Sequence, residues 1–127
     1  MPPTNLPPRA PRSTSQAEIA CAVLAVVAGS LAWIVPARLS GHLEAWDGHL
    51  WWLWLFATGL AALMLGFAGP RRWWLWPLLL CAAQFATMLI QGGVGPLMIL
   101  GLGFMSAIAG GLMLPAFIGA RLRPSRT

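Results

Sequence analysis

Polar and apolar positions along this chain do not alternate. They separate into long blocks. Four runs, Ile19–Val35, Leu50–Ala68, Trp73–Ile90 and Leu97–Ile118, contain no Asp, Glu, Lys or Arg. Their lengths are close to the ~20 residues with which a helix crosses a ~30 Å hydrocarbon layer. In a bilayer every backbone amide and carbonyl must be bonded within the protein, which leaves helices or a closed barrel. Barrel strands alternate in polarity over about ten residues, whereas these runs are apolar on every side. The pattern predicts an all-α membrane protein, a four-helix transmembrane bundle with spans near 17–35, 50–68, 73–90 and 97–118. Short connections favour an up-down-up-down path.

The flanking segments differ in kind. Residues 1–16 carry five prolines and no apolar block, so a disordered Pro-rich tail is expected there. A short basic tail is expected at 121–127. Ser15-Gln16-Ala17-Glu18 has the form of a capping box, which would start the first helix near Ala17 with Ser15 as the cap. The first run exceeds the roughly 7–15 apolar residues of a signal peptide, so it reads as a retained span. Pro36–His49 forms the longest connection, Gly69–Arg72 a tight turn, and Gln91–Pro96 a glycine-rich loop with Pro96 suited to the first turn of the last helix. Asp47 could cap the second span.

Composition agrees with the blocks. The chain is 58% hydrophobic and 9% charged, and four such runs cannot be hidden in a water-soluble domain of this size. The net charge is +5 and every basic side chain is Arg. In a soluble protein that charge would suggest nucleic acid. Here the arginines follow the loops instead. Arg9, Arg12, Arg71, Arg72, Arg121, Arg123 and Arg126 fall on one side of the predicted path and only Arg38 on the other. The positive-inside rule then places both termini in the cytoplasm and the chain in the cell (inner) membrane. No nucleic-acid partner is expected. The all-Arg, Ala-rich usage points to a GC-rich bacterial genome. Trp33, Trp46, Trp51, Trp52 and Trp54 gather at one membrane level and Trp73, Trp74 and Trp76 at the other, which reads as two belts of interfacial anchors. Cys21 and Cys81 both lie within spans and read as packing residues.

Three constellations could carry function. Small residues repeat every fourth position: Ala17, Cys21, Ala25 and Gly29; Thr58, Ala62 and Gly66; and Gly103, Ala107 and Gly111, with Ser106 and Gly110 alongside. Such rows let helix backbones approach closely, either within one bundle or, on the last span, between copies of the chain. Pro115 removes the amide that would bond the Gly111 carbonyl, which predicts a kink there. A polar face on the third span, Cys81, Gln84, Thr87 and Gln91 with Met88 beside them, should look inward, because an unbonded amide is costly in hydrocarbon. Finally, the first loop gathers Arg38, His42, Glu44, Asp47 and His49. Two imidazoles and two carboxylates could hold a divalent metal or form an acid–base pair, although compact metal-ligand spacings are missing.

No phosphate loop, dinucleotide fingerprint or nucleophilic triad is present. No span contains a mid-membrane ionised group of the kind that ion-coupled transport often uses. No cofactor is expected. The reading favoured by sequence is a non-enzymatic accessory or structural membrane subunit, whose partners are the lipid bilayer and either further copies of itself or a larger membrane complex. A small oligomeric transporter or channel is the first alternative. A membrane enzyme or metal site in loop 36–49, using His42, Glu44, Asp47 and His49, is the second.

Overall fold

The computed structural model describes residues 14–42, 45–46 and 48–125, with only the backbone of Thr14 and Ser15. Four α-helices carry the fold: α1 (Thr14–Ser40), α2 (Trp51–Ala68), α3 (Leu75–Gly92) and α4 (Met98–Leu122). All four are long and apolar enough to cross a membrane. At 1.5 Å per residue the 18-residue α2 and α3 are each about 27 Å long. Among the described residues, twenty-eight large apolar side chains are exposed around the bundle, far beyond what a soluble monomer shows to water. The chain is a four-helix bundle built for lipid contact.

The helix ends depart from the sequence expectation in informative places. The predicted Pro-rich tail 1–16 lies largely outside the described residues, but α1 already begins at Thr14. Ser15 is therefore inside the helix and not its cap. Glu18 faces Arg72 instead, with 3.5 Å between Oε1 and Nε. At its other end α1 runs on through Pro36, which had marked the expected start of the first loop. Proline costs the helix one bond to the carbonyl four residues back, and buried Pro36 and Ala37 recover packing there. The helix stops at Gly41, whose φ of 75° is strained for other residues. There the Gly41 amide bonds the Arg38 carbonyl at 3.3 Å and the His42 amide bonds the Ala37 carbonyl at 3.0 Å, the paired bonds of a Schellman ending. Among the described residues no side chain caps α2, whose N-cap is Leu50. The expected cap Asp47 lies outside the described residues.

Between α2 and α3 the chain makes a short 3-10 turn, Pro70–Arg72. The buried Trp76 ring folds under this turn and donates from Nε1 to the Gly69 carbonyl at 2.8 Å. A Cβ at Gly69 would stand 2.7 Å from the same ring, so the close approach needs glycine. Between α3 and α4, Gly93 has φ 73° and its amide bonds the Leu89 carbonyl at 2.9 Å. Leu97 is the N-cap of α4, one residue after Pro96.

Helix packing is not sequential. α1 packs most extensively on α3, and α2 on α4. The α1–α2 and α3–α4 contacts are smaller, α2 and α3 touch little, and α1 and α4 are at most marginal neighbours. Around the bundle the order is therefore α1, α2, α4, α3, with consecutive α2 and α3 on a diagonal. Glu18 near the start of α1 meets Arg72 just before α3. The Arg123 guanidinium after α4 donates to the carbonyl of Ala68 at 2.7 Å, at the end of α2. These contacts define a tail end of the bundle. The opposite, loop end carries residues 41–42, 45–46, 48–50 and 93–97.

Small residues make the two main seams. Gly66 of α2 sits where a Cβ would overlap the Ala116 backbone of α4, and Gly119 where a Cβ would overlap the Leu63 backbone. Gly29 of α1 lies against α3, where a Cβ would come within 2.7 Å of the Leu80 carbonyl oxygen. Cys21, Ala25, Thr58 and Ala62, from the rows read in the sequence, are buried as well. The inward face of α4 is Gly101, Met105, Ala109, Leu112, Ala116 and Gly119, not the Gly103–Ala107–Gly111 row.

Candidate functional site

The interior is divided by height. Towards the tail end, Cys21, Ala25, Ala62, Leu65, Trp76, Leu80, Cys81, Ala109, Leu112 and Ala116 form one apolar cluster. Towards the loop end, Trp33, Ala45, Trp54 and Met105 form a second. Polar side chains from three helices meet between them. Gln84 of α3, 0% exposed, donates from Nε2 to the Thr58 hydroxyl of α2 at 2.9 Å. The Thr58 hydroxyl in turn donates to the Trp54 carbonyl at 2.7 Å. Beside them the Thr87 hydroxyl bonds the Ala83 carbonyl at 2.8 Å and faces Ser30 Oγ of α1 at 3.4 Å.

The polar face anticipated on the third span can be followed residue by residue. Cys81 and Gln84 are buried, and Thr87, Met88 and Gln91 are half-buried. Cys81 joins the apolar cluster and not the polar layer. Gln84, Thr87 and Gln91 climb in that order from the bundle centre to the loop end. Ser30 and Thr58 supply the facing groups. Ser30 was not singled out in the sequence, although a hydroxyl inside an otherwise apolar run, one turn before a Trp, was a usable signal.

The aromatic residues correct the anchor reading. Trp51, Trp52 and Trp74 are exposed, as belt residues would be. Trp33, Trp54 and Trp76 are 0%, 2% and 1% exposed and belong to the core. Trp33 meets Trp46 edge-on at 4.8 Å and Trp54 edge-on at 6.0 Å, and Trp46 meets Phe104 of α4 edge-on at 5.1 Å. Such pairs add about 0.5–1.5 kcal/mol each beyond the area they bury. The cluster ties α1, α2, α4 and the first loop together. The Trp33 and Trp54 indole N–H groups and the Gln84 Oε1 are buried without a hydrogen-bond partner among the described residues.

Two cavities open near the loop end. One, about 570 Å³, lies between α3, α4 and their connection, walled by Met88, Gly92, Pro96, Leu100, Phe104 and Trp46 among others. It is largely apolar. The other, about 450 Å³, is lined by Ala37, Arg38, Gly41, His42 and Gln91. The Schellman turn at Gly41 bonds the His42 amide to the Ala37 carbonyl, and Arg38 and His42 line the same cavity. The Gln91 Oε1 is buried and has no partner among the described residues.

Of the four residues considered for a metal, His42 and His49 are exposed, and Glu44 and Asp47 lie outside the described residues. Among the described residues no three His, Cys, Asp or Glu side chains come together as a metal site would need. On span four, Ala107, Gly103, Gly110 and Gly111 are exposed. A Cβ at any of these three glycines would meet nothing within 4 Å. The Ser106 hydroxyl bonds back to the Leu102 carbonyl at 2.8 Å.

No protein-family model, no curated protein and no solved structure matches this chain.

Proposed function

We propose that this protein is a non-enzymatic accessory or structural subunit of the cell (inner) membrane, with both termini cytoplasmic, that offers the outward face of α4 to another transmembrane helix. The observation that carries the reading is the contrast between two faces of one helix. The inward face of α4 uses glycine to bring its backbone against α2. The outward face repeats the same chemistry with Gly103, Ala107 and Gly111 and has nothing packed on it. Apolar side chains give helices no preference for one another over lipid tails. A small-residue groove, through close backbone packing, does. A second copy of the chain or a helix of a larger complex would fit that groove equally well.

Gly103→Leu and Gly111→Leu test the proposal, because each fills the groove without touching the bundle's own seams. Purification in mild detergent followed by native mass spectrometry should show a stoichiometric assembly for the wild type and a folded monomer for each variant. A wild type that is monomeric and carries no partner would overturn it.

A small oligomeric transporter or channel is the second reading, supported by the ascent of polar groups from Thr58 and Gln84 through Thr87 to Gln91. The apolar cluster around Trp76, Leu80 and Cys81 fills the bundle on the tail side of that ascent. Solute flux into proteoliposomes that is lost in Gln84→Leu would favour this reading over the first.

A further inference from the structure

Among the described residues the tail end gathers four guanidiniums, Arg71, Arg72, Arg121 and Arg123, against one carboxylate, Glu18. We infer that this end is a docking surface for the anionic phospholipid headgroups of the leaflet in which it lies. The four positive groups are not equally free. Arg72 faces Glu18 at 3.5 Å, yet its side chain is still 54% exposed. Arg123 is occupied by the Ala68 carbonyl at 2.7 Å. Arg71 is exposed and makes no ion pair or side-chain hydrogen bond among the described residues. Arg121 makes none either, and its guanidinium carbon lies 5.0 Å from the centroid of the Phe117 ring. Contact with a ring uses no acceptor, so the guanidinium N–H groups remain open to one. Phe117 in turn meets the Trp73 ring at 5.3 Å, and Trp73 packs on the apolar cluster of the tail side. Trp73 directly follows Arg71 and Arg72. One aromatic platform thus joins the arginines of the turn to that of α4.

Backbone dipoles do not reverse the sign of this surface. α1 and α3 begin at the tail end, and α2 and α4 finish there. Two positive and two negative helix ends oppose one another, and the last carbonyls of α2 are covered by Arg123. The side chains therefore decide, and they favour an anion. Its class follows from what surrounds the arginines. Trp74, Phe117, Ile118 and Leu122 are exposed at the same end, on helices long and apolar enough to cross a membrane. A soluble polyanion would meet the charge and leave these side chains uncovered. A phospholipid meets both, with phosphate oxygens at the guanidiniums and acyl chains along the apolar side chains. Anionic headgroups attract arginines at this level of a membrane. A choline headgroup balances its phosphate with its own ammonium and attracts them less.

The test uses the full chain in mild detergent with native mass spectrometry, titrated with phosphatidylglycerol or with phosphatidylcholine of identical chains. At low salt the glycerol lipid should be retained about tenfold the more strongly, and raising the ionic strength should narrow the gap. Arg71→Gln combined with Arg121→Gln should bring its retention to within about twofold of the choline lipid. Both residues are exposed, so circular dichroism should not change. Arg38→Gln removes the same kind of charge at the loop end and should leave the preference intact. Equal retention of the two lipids by the wild type, an undiminished preference in the double variant, or an equal loss in Arg38→Gln would overturn the inference. So would displacement of the lipid by glycerol phosphate or a short oligonucleotide at equal concentration, which would assign the surface to a soluble anion.

Discussion

At the scale of single residues, a carboxamide buried in an apolar bundle is tolerable only while something bonds it. Thr58 does this for Gln84, at 2.9 Å. Thr58→Val keeps the shape of the side chain and removes the acceptor, so both ends of the Gln84 amide would be left unpaired. The expected loss is about 1 kcal/mol, the usual size of an interhelical hydrogen bond in membranes. Unfolding of the purified protein by steric trapping would measure it. Adding Gln84→Met should return most of the loss, because removing both polar partners is far cheaper than stranding one. Glycines provide a second contrast. Gly66→Val drives a side chain into the Ala116 backbone, and Gly59→Val on the same helix meets nothing within 4 Å. The first should separate α2 from α4 and lower stability by more than 2 kcal/mol, as overpacking against rigid backbone does. The second should be nearly neutral in the same assay.

At the scale of elements, the turn between α2 and α3 is held by a side chain seven residues along. Trp76→Phe preserves a buried ring and deletes the N–H that bonds the Gly69 carbonyl. Stability should fall by about 0.5–1.5 kcal/mol, and hydrogen exchange at the 69–72 amides should quicken. Arg123 closes the same end by bonding the Ala68 carbonyl, so Arg123→Ala should raise exchange near 65–69 without unseating α4. These elements also show what could be read from sequence. The four runs located the helices to within a few residues, because crossing a bilayer fixes length and polarity together. Their faces were harder to read. Lipid and protein interior are equally apolar, so a hydrophobic run does not say which side turns inward. Trp33 and Trp54 were read as interfacial anchors, yet both are buried in the core. Gln84 was legible because its polarity admits only one orientation. The rows containing Gly29 and Gly66 could be read as close-packing faces, but nothing in their spacing separated them from the outward row on α4. The Arg38–His42–Gln91 cavity joins residues far apart in the chain, and no local pattern announces such a meeting.

At the scale of the whole molecule, Arg71, Arg72, Arg121 and Arg123 gather at the tail end, with Arg38 at the loop end. If the positive-inside bias governs insertion, reporter fusions at the C-terminus and within 69–72 should behave as cytoplasmic, and fusions near residue 44 as external. An external C-terminus would contradict the orientation proposed for the bundle. Moving two arginines from 71–72 into the first loop should weaken or invert that pattern.

The diagonal placement of α2 and α3 bears on how the molecule is made. A ribosome delivers α1 and α2 first, but the best partner of each has yet to be synthesised. The nascent hairpin must wait with its glycine seams open and Thr58 without its amide. α3 then has to enter on the far side of α1, and α4 on the far side of α2, so the two hairpins close around one another. A chain halted after α2 is thus a natural substrate for membrane quality control. The two hairpins expressed as separate chains should instead protect each other from proteolysis when they meet.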